Sequence, residues 1–393
     1  MKIAMADPSL FTGRYDDSLC SALASHGHQV TLHARPQRTT DALAPGPYDY
    51  VPRFFTISER LRGVLGDGRA FRAIKAAEYL ASSAAGSLRA LRQADVVHVQ
   101  WSPFVPADRL WLGRLAAAKD RPALVHTVHN AQANHGEAPG RMGGYRALLD
   151  LYDRLIVHGE DTRQALLSQG IGAERIAIVP HPPMALAQAS ADELAAVPDA
   201  RRPRLLFFGT LRPYKGFDLL IDACLQLWRE GADFELAVAG KPFMPVAPLL
   251  DKVRDAGMAD RLILDLDFLK EERLDAHLQK ADMLLFPYRH IDSSGAFLSA
   301  LHYGKPMICS RVGMFATLPP VAGEQAVALC EPEDAVSLAQ AIRPLLADPE
   351  ARQRMGERSL SLLKQMGDWD DAARATEQVY SEVINHMKAG RSQ

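Results

Sequence analysis

Short apolar runs alternate with longer segments of helical periodicity along the whole chain. Each run is bounded by glycine, proline or a charged residue. Buried parallel strands joined by helices give this pattern, because helices cover both faces of such a sheet. The first half contains the runs KIAMA (2–6), QVTLHA (29–34), DVVHVQ (95–100), ALVHTVH (123–129), RLIVHG (154–159) and IAIVPH (176–181). The second half contains RLLFFG (204–209), FELAVAG (234–240), LILDLDF (262–268), MLLFPY (283–288), PMICS (306–310) and VALCEP (327–332).

A segment rich in proline and alanine, PHPPMALAQASADELAAVPDARRP, interrupts this alternation near the middle of the chain, after which it begins again. The pattern predicts an α/β protein of two Rossmann-like, doubly wound domains that face a central cleft. We assign residues 1–185 to the first domain, 186–203 to a linker and 204–366 to the second domain. Residues 367–393 are predicted to form a C-terminal helix that packs back on the first domain.

Composition agrees with a two-domain globular protein. A chain of 393 residues is too long for one ordinary core, and its net charge of -2 gives no support to a nucleic-acid partner. The N-terminus lacks the apolar core of a secretory signal, and no run approaches the roughly 20 apolar residues of a membrane span. The four cysteines form no CxxC motif and are expected to be buried free thiols, so we expect a cytoplasmic protein.

The segment FFGTLRPYKGFDLL (207–220) places two cations between a predicted strand and the following helix. Gly209 ends the strand, Arg212 and Lys215 follow, and Gly216 permits close backbone approach. Backbone amides and the dipole at a helix N-terminus attract anions, and both cations suit phosphate oxygens. The segment therefore predicts a diphosphate site, although an ordinary surface turn with solvated cations explains it equally well. It is not a Walker loop, because GxxxxGK[ST] is absent.

A second turn of the same kind lies in PYRHIDSSGAFLSALHYG (287–304). Ser293, Ser294 and the Gly295 amide are placed to contact a phosphate or a sugar. Asp292 or Ser293 is also a good helix N-cap, and capping is compatible with ligand binding. The two turns follow the first and fourth strands of one domain, so a parallel sheet would present both at the same edge.

These segments resemble the GT-B-fold glycosyltransferases of family 4, the glycosyl transferases group 1. FFGTLRPYKGFDLLIDA is similar to their donor-phosphate segment, and FELAVAGKP, DFLKEERLDAHLQKADMLLFPY and GKPMICSRVG are similar to the segments that follow it. In the first half, DVVHVQWSP and LVHTVHNAQANHGE are similar to the strand ends that face the acceptor. The resemblance covers nearly the whole chain and is strongest over 204–310.

The resemblance implies a role for each candidate residue. His129, past the end of a predicted strand, would contact the donor sugar, whereas His126 is interpreted as a core histidine. Arg212 and Lys215 would stabilise the departing diphosphate. The donor-binding positions are Gly13, Gly209, Thr210, Phe268, Asp292, Ser293, Ser294 and Gly295.

The chain departs from the family at three positions. Many members carry arginine where Thr210 stands, and many carry two glutamates, which fall here near 291–292 and near 299–300. We expect a retaining reaction, with an inverting GT-B transferase of a related family as the alternative. An inverting enzyme needs a general base, for which Glu137 and Asp161 are candidates, although both also suit exposed loops. A nucleotide-sugar epimerase, or a catalytically silent nucleotide-sugar-binding subunit, would also fit these residues.

The segment 51–80 mixes arginines with apolar residues, as in VPRFFTISERLRGVLGDGRAFRAIKAAEYL. It could bind an anionic membrane surface, or it could pack on the first domain with solvated arginines. No clustered H-x-E or D-x-D signature supports a metal, since DLD (265–267) falls on a predicted strand.

The sequence therefore predicts a hexosyltransferase that uses a UDP- or GDP-linked sugar and needs no cofactor. Its acceptor is expected to be a saccharide or a polyprenyl-linked saccharide, in surface or exopolysaccharide assembly. A membrane-binding segment would place the enzyme on the inner face of the plasma membrane.

Overall fold

A computed structural model of the chain describes residues 1–38, 41, 43, 46–66, 68–84, 88–129, 144–291 and 293–391. The chain divides into two compact units. The first comprises Met1–His181 together with Asp368–Gln393, and the second comprises Pro182–Gly367.

The first unit is a parallel sheet of seven strands in the order β3-β2-β1-β4-β5-β6-β7, flanked by helices. Its strands are β1 (Lys2–Asp7), β2 (Gln29–Ala34), β3 (Asp49–Pro52), β4 (Val96–Val99), β5 (Ala123–Thr127), β6 (Arg154–Val157) and β7 (Ile176–Ile178). Its helices are α1 (Gly13–Ser25), α2 (Thr56–Leu65), α3 (Arg69–Ala84), α4 (Leu88–Arg92), α5 (Val105–Ala116), α6 (Tyr145–Leu149), α7 (Glu160–Ser168) and, from the C-terminus, α16 (Trp369–Arg391).

The second unit is a parallel sheet of six strands in the order β10-β9-β8-β11-β12-β13. Its strands are β8 (Arg204–Phe208), β9 (Glu235–Ala239), β10 (Leu262–Asp265), β11 (Met283–Phe286), β12 (Met307–Ser310) and β13 (Ala328–Cys330). Its helices are α8 (Ala191–Ala196), α9 (Phe217–Arg229), α10 (Ala247–Asp255), α11 (Glu271–Gln279), α12 (Gly295–Ala300), α13 (Gly313–Ala316), α14 (Ala335–Ala347) and α15 (Pro349–Gln365).

Both sheets are buried on both faces, as the short apolar runs predict. In β8, Leu205 and Phe207 pack into the core on one side of the sheet, while Leu206 and Phe208 pack into the core on the other. This alternation explains why the strand reads as a continuous apolar run. The prediction of two doubly wound α/β domains is confirmed, and the four cysteines are buried and unpaired.

All twelve apolar runs contain strands, but the apolar pattern does not reveal β3. Its sequence, DYVP, combines an acidic residue and a proline, and it is only partly buried at the edge of the sheet. Edge strands tolerate proline because one side has no partner, so the apolar signal that marks the other strands is absent here.

Residues 186–203, expected to be a linker, are hydrogen-bonded to α11 of the second unit. Glu271 accepts the Ala187 amide at 3.0 Å, and Asp275 accepts the Ala189 amide at 2.8 Å. The segment also contains α8, whose N-cap Ser190 accepts the amide of Glu193. Acidic side chains of α11 therefore fix a segment whose composition suggests a free connection.

The C-terminal helix α16 belongs to the core of the first unit. The hydroxyl of its buried Tyr380 lies 2.7 Å from His98 Nδ1 of β4, and its Trp369 ring meets Tyr15 of α1 at 5.2 Å. Its partly buried Glu377 lies 2.6 Å from His26 Nδ1. Contacts over much of the length of α16 thus tie the end of the chain to its first helix.

Among the described residues, no helix is both long enough and apolar enough to cross a bilayer. The exposed side of α2 nevertheless carries apolar residues at helical spacing. Ile57, Leu61 and Val64 are 59%, 37% and 85% exposed, and Arg60 lies among them on the same face.

Gly216 lies where the turn after β8 packs closely against the loop after β11. Its φ is +70°, and a Cβ there would lie 2.0 Å from the Pro287 carbonyl oxygen. Gly257 has a similar φ of +74°, but a Cβ there would meet no atom within 4 Å. Only glycine can therefore occupy position 216 without displacing Pro287.

We predict that Gly216→Ala destabilises the second unit far more than Gly257→Ala. The left-handed backbone alone should cost about 1 kcal/mol at both sites, and displacement of Pro287 should raise the cost at 216 to about 3 kcal/mol. Urea unfolding of the two variants measures the difference. Equal losses of stability would show that Pro287 does not restrict position 216.

Candidate functional site

The predicted diphosphate turn lies where the strand order of the second unit reverses. It follows β8, which has β9 on one side and β11 on the other. Gly209 takes φ +88°, a 3-10 turn spans Pro213–Lys215, and α9 begins at Phe217. In open parallel sheets, ligands bind beyond the carboxyl ends of the strands at such a reversal. The sheet order therefore places the turn at the preferred position for a ligand.

Lys215 is buried, although the sequence suggests that it lies on an exposed turn. Its side chain is only 6% exposed, with Nζ 3.4 Å from the Phe208 carbonyl oxygen and 5.3 Å from the centre of the Tyr288 ring. Burial, followed by the nearby charge of Arg212, lowers the pKa of Lys215 to about 8. Within the described residues no carboxylate pairs with this ammonium group, so it is a buried cation suited to an external anion.

Arg212 is supported by the loop after β9, to which the sequence patterns assign no role. Its guanidinium carbon lies 4.7 Å from the centre of the Phe243 ring, a cation–π contact. The Leu211 amide donates to the Lys241 carbonyl at 2.9 Å, and the Phe243 amide donates to the Leu211 carbonyl at 2.8 Å. The GKPF sequence directly after β9 contains a cation and an aromatic residue, and this is the feature of the sequence that could have indicated a contact with Arg212.

The second predicted turn follows β11, the neighbour of β8. Ser294 caps α12, its hydroxyl accepting the Phe297 amide at 3.2 Å, and it is 5% exposed. Ser293 and Gly295 are half-buried and more accessible than Ser294. Ser294, rather than the expected Ser293, is therefore the N-cap, and Asp292, the other expected cap, lies outside the described residues.

Arg289 joins the two turns, a role that no sequence motif indicates. Its amide donates to the Tyr214 carbonyl at 2.7 Å, and its guanidinium donates to the Pro213 carbonyl at 2.6 Å. The same guanidinium makes a forked pair with Asp218 of α9, at 2.9 and 2.7 Å. One side chain therefore fixes the loop after β11 against the turn that carries Arg212 and Lys215.

The other two predicted donor contacts of this unit lie on different loops. Thr210 is half-buried within the turn after β8. Phe268 follows β10 and is 61% exposed, its amide held by the Asp267 carboxylate at 2.7 Å. Phe268 thus presents a ring to solvent at the same edge of the sheet, beyond β10 rather than beyond β8.

Gly13 begins α1 and is half-buried, directly after the loop that follows β1. The base of that loop contains a fully buried carboxyl pair, Asp7 and Asp16. Burial and the charge of Asp7 raise the pKa of Asp16 well above its ordinary value, so this carboxyl is the one that retains a proton. The carboxyl pair lies away from solvent, on the buried side of the loop, and supports it there.

Histidines lie within or after four consecutive strands of the first unit, a regularity visible in the sequence. They are His98 in β4, His126 and His129 in and after β5, His158 after β6 and His181 after β7. The His158 ring centre lies 5.1 Å from that of His129 and 5.2 Å from that of His181. Burial lowers the pKa of His98 and His158 to about 3 and that of His126 to about 4.

His129 is held at both ring nitrogens. Nε2 lies 2.9 Å from the Gln100 side-chain amide, and Nδ1 lies 3.2 Å from His158 Nε2. Its ring stacks on Trp101 with centroids 5.1 Å apart and planes 4° apart. Burial, then the neighbouring histidines His158 and His181, keep the pKa of His129 well below its ordinary value. A contact from His129 to the donor sugar stays a prediction, and a ring nitrogen could make it only by exchanging a partner.

The two candidate bases fall in different parts of the chain. Asp161 is exposed in the first turn of α7. Glu137 lies outside the described residues.

His126 is buried, with Nδ1 donating to the Val99 carbonyl at 2.7 Å, so it has the core position expected of it. Within the described ranges, no three His, Cys, Asp or Glu side chains form a group that could hold a metal.

Two family descriptions match the chain, one in each unit. Residues 12–182 match Glycosyltransferase Family 4, and residues 202–348 match Glycosyl transferases group 1. The D-inositol 3-phosphate glycosyltransferase of Kineococcus radiotolerans is 29% identical over 337 residues, covering 76% of this chain and 74% of that protein. The glycogen synthase of Mycobacterium tuberculosis is 29% identical over 400 residues, covering 94% and 90%.

Solved structures share the fold over almost the whole chain. Sucrose-phosphate synthase from Thermosynechococcus elongatus aligns with a TM-score of 0.70 at 20% identity, over 98% of this chain and all of that one. Anabaena HepE in complex with UDP and glucose aligns with a TM-score of 0.70 at 15% identity, over 97% of this chain and all of that one.

The buried histidines make the stability of the first unit depend on pH. Their ordinary pKa is 6.5, and the folded values near 3 and 4 mean that the unfolded chain binds more protons between these limits. The contribution of these histidines to the free energy of unfolding is therefore fully present above about pH 6.5. It falls on acidification by up to about 1.4 kcal/mol per pH unit for each histidine. We predict that His98→Gln flattens this slope between pH 7 and about pH 4.

Urea unfolding at a series of pH values measures the slope. Gln can still meet the two hydroxyl groups that flank His98, those of Tyr380 and Thr127, each at 2.7 Å. His302→Gln, at an exposed position of the second unit, is the control and should leave the slope unchanged. An unchanged slope in His98→Gln would contradict the assignment of His98 as a buried neutral group.

Proposed function

The chain is a GT-B glycosyltransferase of the family 4 type, and we propose that it moves a sugar from a nucleotide-diphosphate-sugar to a saccharide or lipid-linked saccharide. The observation that carries the proposal is the buried ammonium group of Lys215, which has no carboxylate partner among the described residues. A diphosphate would supply the missing negative charge.

The surroundings of Lys215 favour a diphosphate over a single carboxylate. Arg212 lies in the same turn and presents a planar guanidinium, which can donate two hydrogen bonds to phosphate oxygens. The amides at the start of α9, a helix of 13 residues, add a partial positive charge. Ser293 and the Gly295 amide, on the loop that Arg289 fixes beside this turn, are further donors.

In the proposed reaction, the acceptor hydroxyl oxygen bonds to the anomeric carbon of the donor sugar as the bond to the nucleoside diphosphate breaks, and the departing diphosphate takes up the hydroxyl proton. Negative charge grows on the diphosphate as the glycosidic bond breaks. Arg212 and Lys215, fixed before the reaction, would stabilise that charge without reorganisation. A solved neighbour, Anabaena HepE, is in complex with UDP and glucose, which supports a UDP-linked sugar as the first donor to test.

We propose a lipid-linked acceptor because of the exposed face of α2. Ile57, Leu61 and Val64 form an apolar stripe at helical spacing, and Arg60 extends from the same face. Apolar side chains flanked by arginines suit the headgroup region of an anionic membrane. Peripheral attachment of this kind would suit a polyprenyl-linked acceptor, because the polyprenyl chain lies in the membrane.

We predict that Lys215→Met abolishes most sugar transfer and weakens UDP binding by about 10–100-fold, because a charged hydrogen bond is lost. The fold should keep or gain stability, since the substitution removes an unpaired buried charge. Calorimetry with UDP, sugar release from UDP-sugars and thermal unfolding measure the three effects. Lys252→Met, at an exposed cation paired with Asp222, is the control. Wild-type UDP binding by a folded Lys215→Met protein would overturn the diphosphate site.

We predict that the protein sediments with liposomes that contain anionic lipid at low salt, and that rising salt releases it. Val64→Glu should greatly reduce sedimentation, because it places a negative charge in the apolar stripe. Val336→Glu, at a 51% exposed position on α14, is the matched control. Absence of binding at low salt, or equal loss in both variants, would exclude α2 as the membrane contact.

A further inference from the structure

Three aromatic rings form a continuous stack at the carboxyl end of the first sheet. The Phe11 ring lies 4.6 Å from the Trp101 ring, tilted by 53°, and Trp101 stacks almost parallel on His129 at 5.1 Å. Phe11 is 67% exposed, whereas the two rings behind it are partly buried. Phe11 is therefore a large apolar ring that is exposed to solvent and is supported from behind by two partly buried rings.

The backbone that presents Phe11 is strained and specifically supported. Leu10 takes φ +49°, a left-handed conformation that is costly for a branched side chain. The buried Asp7 carboxylate accepts the amides of Phe11 at 2.6 Å and of Thr12 at 3.1 Å. Trp101 is fixed in turn, because its Nε1 donates to the Thr12 hydroxyl at 3.0 Å. Strain of this kind collects at functional sites, where the surrounding structure maintains it.

The stack also lies where a ligand is expected. Phe11 follows β1 and Trp101 follows β4, and these neighbouring strands are where the strand order of the first sheet reverses. Ligands of open parallel sheets bind beyond this reversal. The exposed ring and the adjacent neutral imidazole of His129 offer apolar and uncharged groups, so they favour an uncharged ligand with an apolar face.

A pyranose ring is such a ligand, because the axial C–H groups on alternate ring carbons share one face while equatorial hydroxyls point outward from the edge. C–H groups of this face pack on an aromatic ring by dispersion and by attraction to the negative ring face. A charged phosphate would gain nothing from Phe11. The chemistry of the stack thus selects a sugar ring.

We propose that Phe11 and Trp101 form the platform on which a sugar ring of the acceptor stacks. Phe11 supplies the contact face, and Trp101 fixes its position relative to His129. This proposal rests on the proposed transferase function and adds where the acceptor sugar binds and by which face. Sugars with an unobstructed C–H face are expected to bind better than those with an axial hydroxyl on that face.

Saturation-transfer NMR with UDP present tests the platform, using the methyl glycosides of glucose, mannose, galactose and N-acetylglucosamine as probes. At least one glycoside should receive saturation from the wild-type protein. Phe11→Ala should weaken its binding by about tenfold, the loss of one aromatic contact, and Phe11→Tyr should restore it. Ile178→Ala, which removes another exposed apolar side chain of the same unit, is the matched control.

Equal binding to wild type and Phe11→Ala, or no binding of any glycoside to wild type, would overturn the platform. Loss that Phe11→Tyr does not restore would also overturn it, because the aromatic ring would then not be the contact. Calorimetry with UDP on the same samples separates this result from the wider proposal. A wild-type protein that binds UDP but no glycoside contradicts only the platform, whereas one that binds no UDP contradicts the diphosphate site itself.

Discussion

The buried ammonium group of Lys215 is the constraint on which the carboxyl edge of the second sheet depends. Removing a cation from water without a counter-ion costs several kcal/mol, and the Phe208 carbonyl at 3.4 Å and the Tyr288 ring at 5.3 Å compensate only weakly. The glycines on either side of the turn allow this burial, since Gly216 lets the turn reach the Pro287 carbonyl. The same desolvation cost lowers the pKa of Lys215, and an anion that binds there would offset this cost.

The rest of that edge keeps the turn in place. The Arg289 guanidinium donates hydrogen bonds to the Pro213 carbonyl and to the Asp218 carboxylate. It also forms an ion pair at 3.2 Å with Glu333, which lies in the loop after β13. Glu333 itself takes a left-handed φ of +60°. Arg289 therefore connects the loops after three strands, so that the cationic turn does not need a ligand to hold its shape.

Most of the fold was predictable because buried parallel strands have a strong apolar signal, whereas β3 was not, because an edge strand needs no such signal. The two cationic and serine-rich turns were also predictable, since strand, glycine and cation follow in order. The roles of Arg289 and Phe243 were not, because they come from long-range contacts with Asp218 and Arg212 that no local pattern encodes. Burial of Lys215 was missed for the same reason, because the Tyr288 ring beside it belongs to the loop after β11, far along the chain.

The strands of the two sheets follow the same order, but the residues at their carboxyl edges differ. Those of the second unit are positively charged, and those of the first are apolar or uncharged. In the second unit, Arg212 and Lys215 leave positive charge beside the reversal of the sheet. In the first unit, the same position holds Phe11 and Trp101, with His129 kept neutral by burial and by its neighbours. In the proposed reaction, the enzyme holds a highly charged donor and a largely uncharged acceptor sugar. One topology used twice would meet both needs, because the sheet fixes only where a ligand binds and the residues after its strands decide which ligand it is.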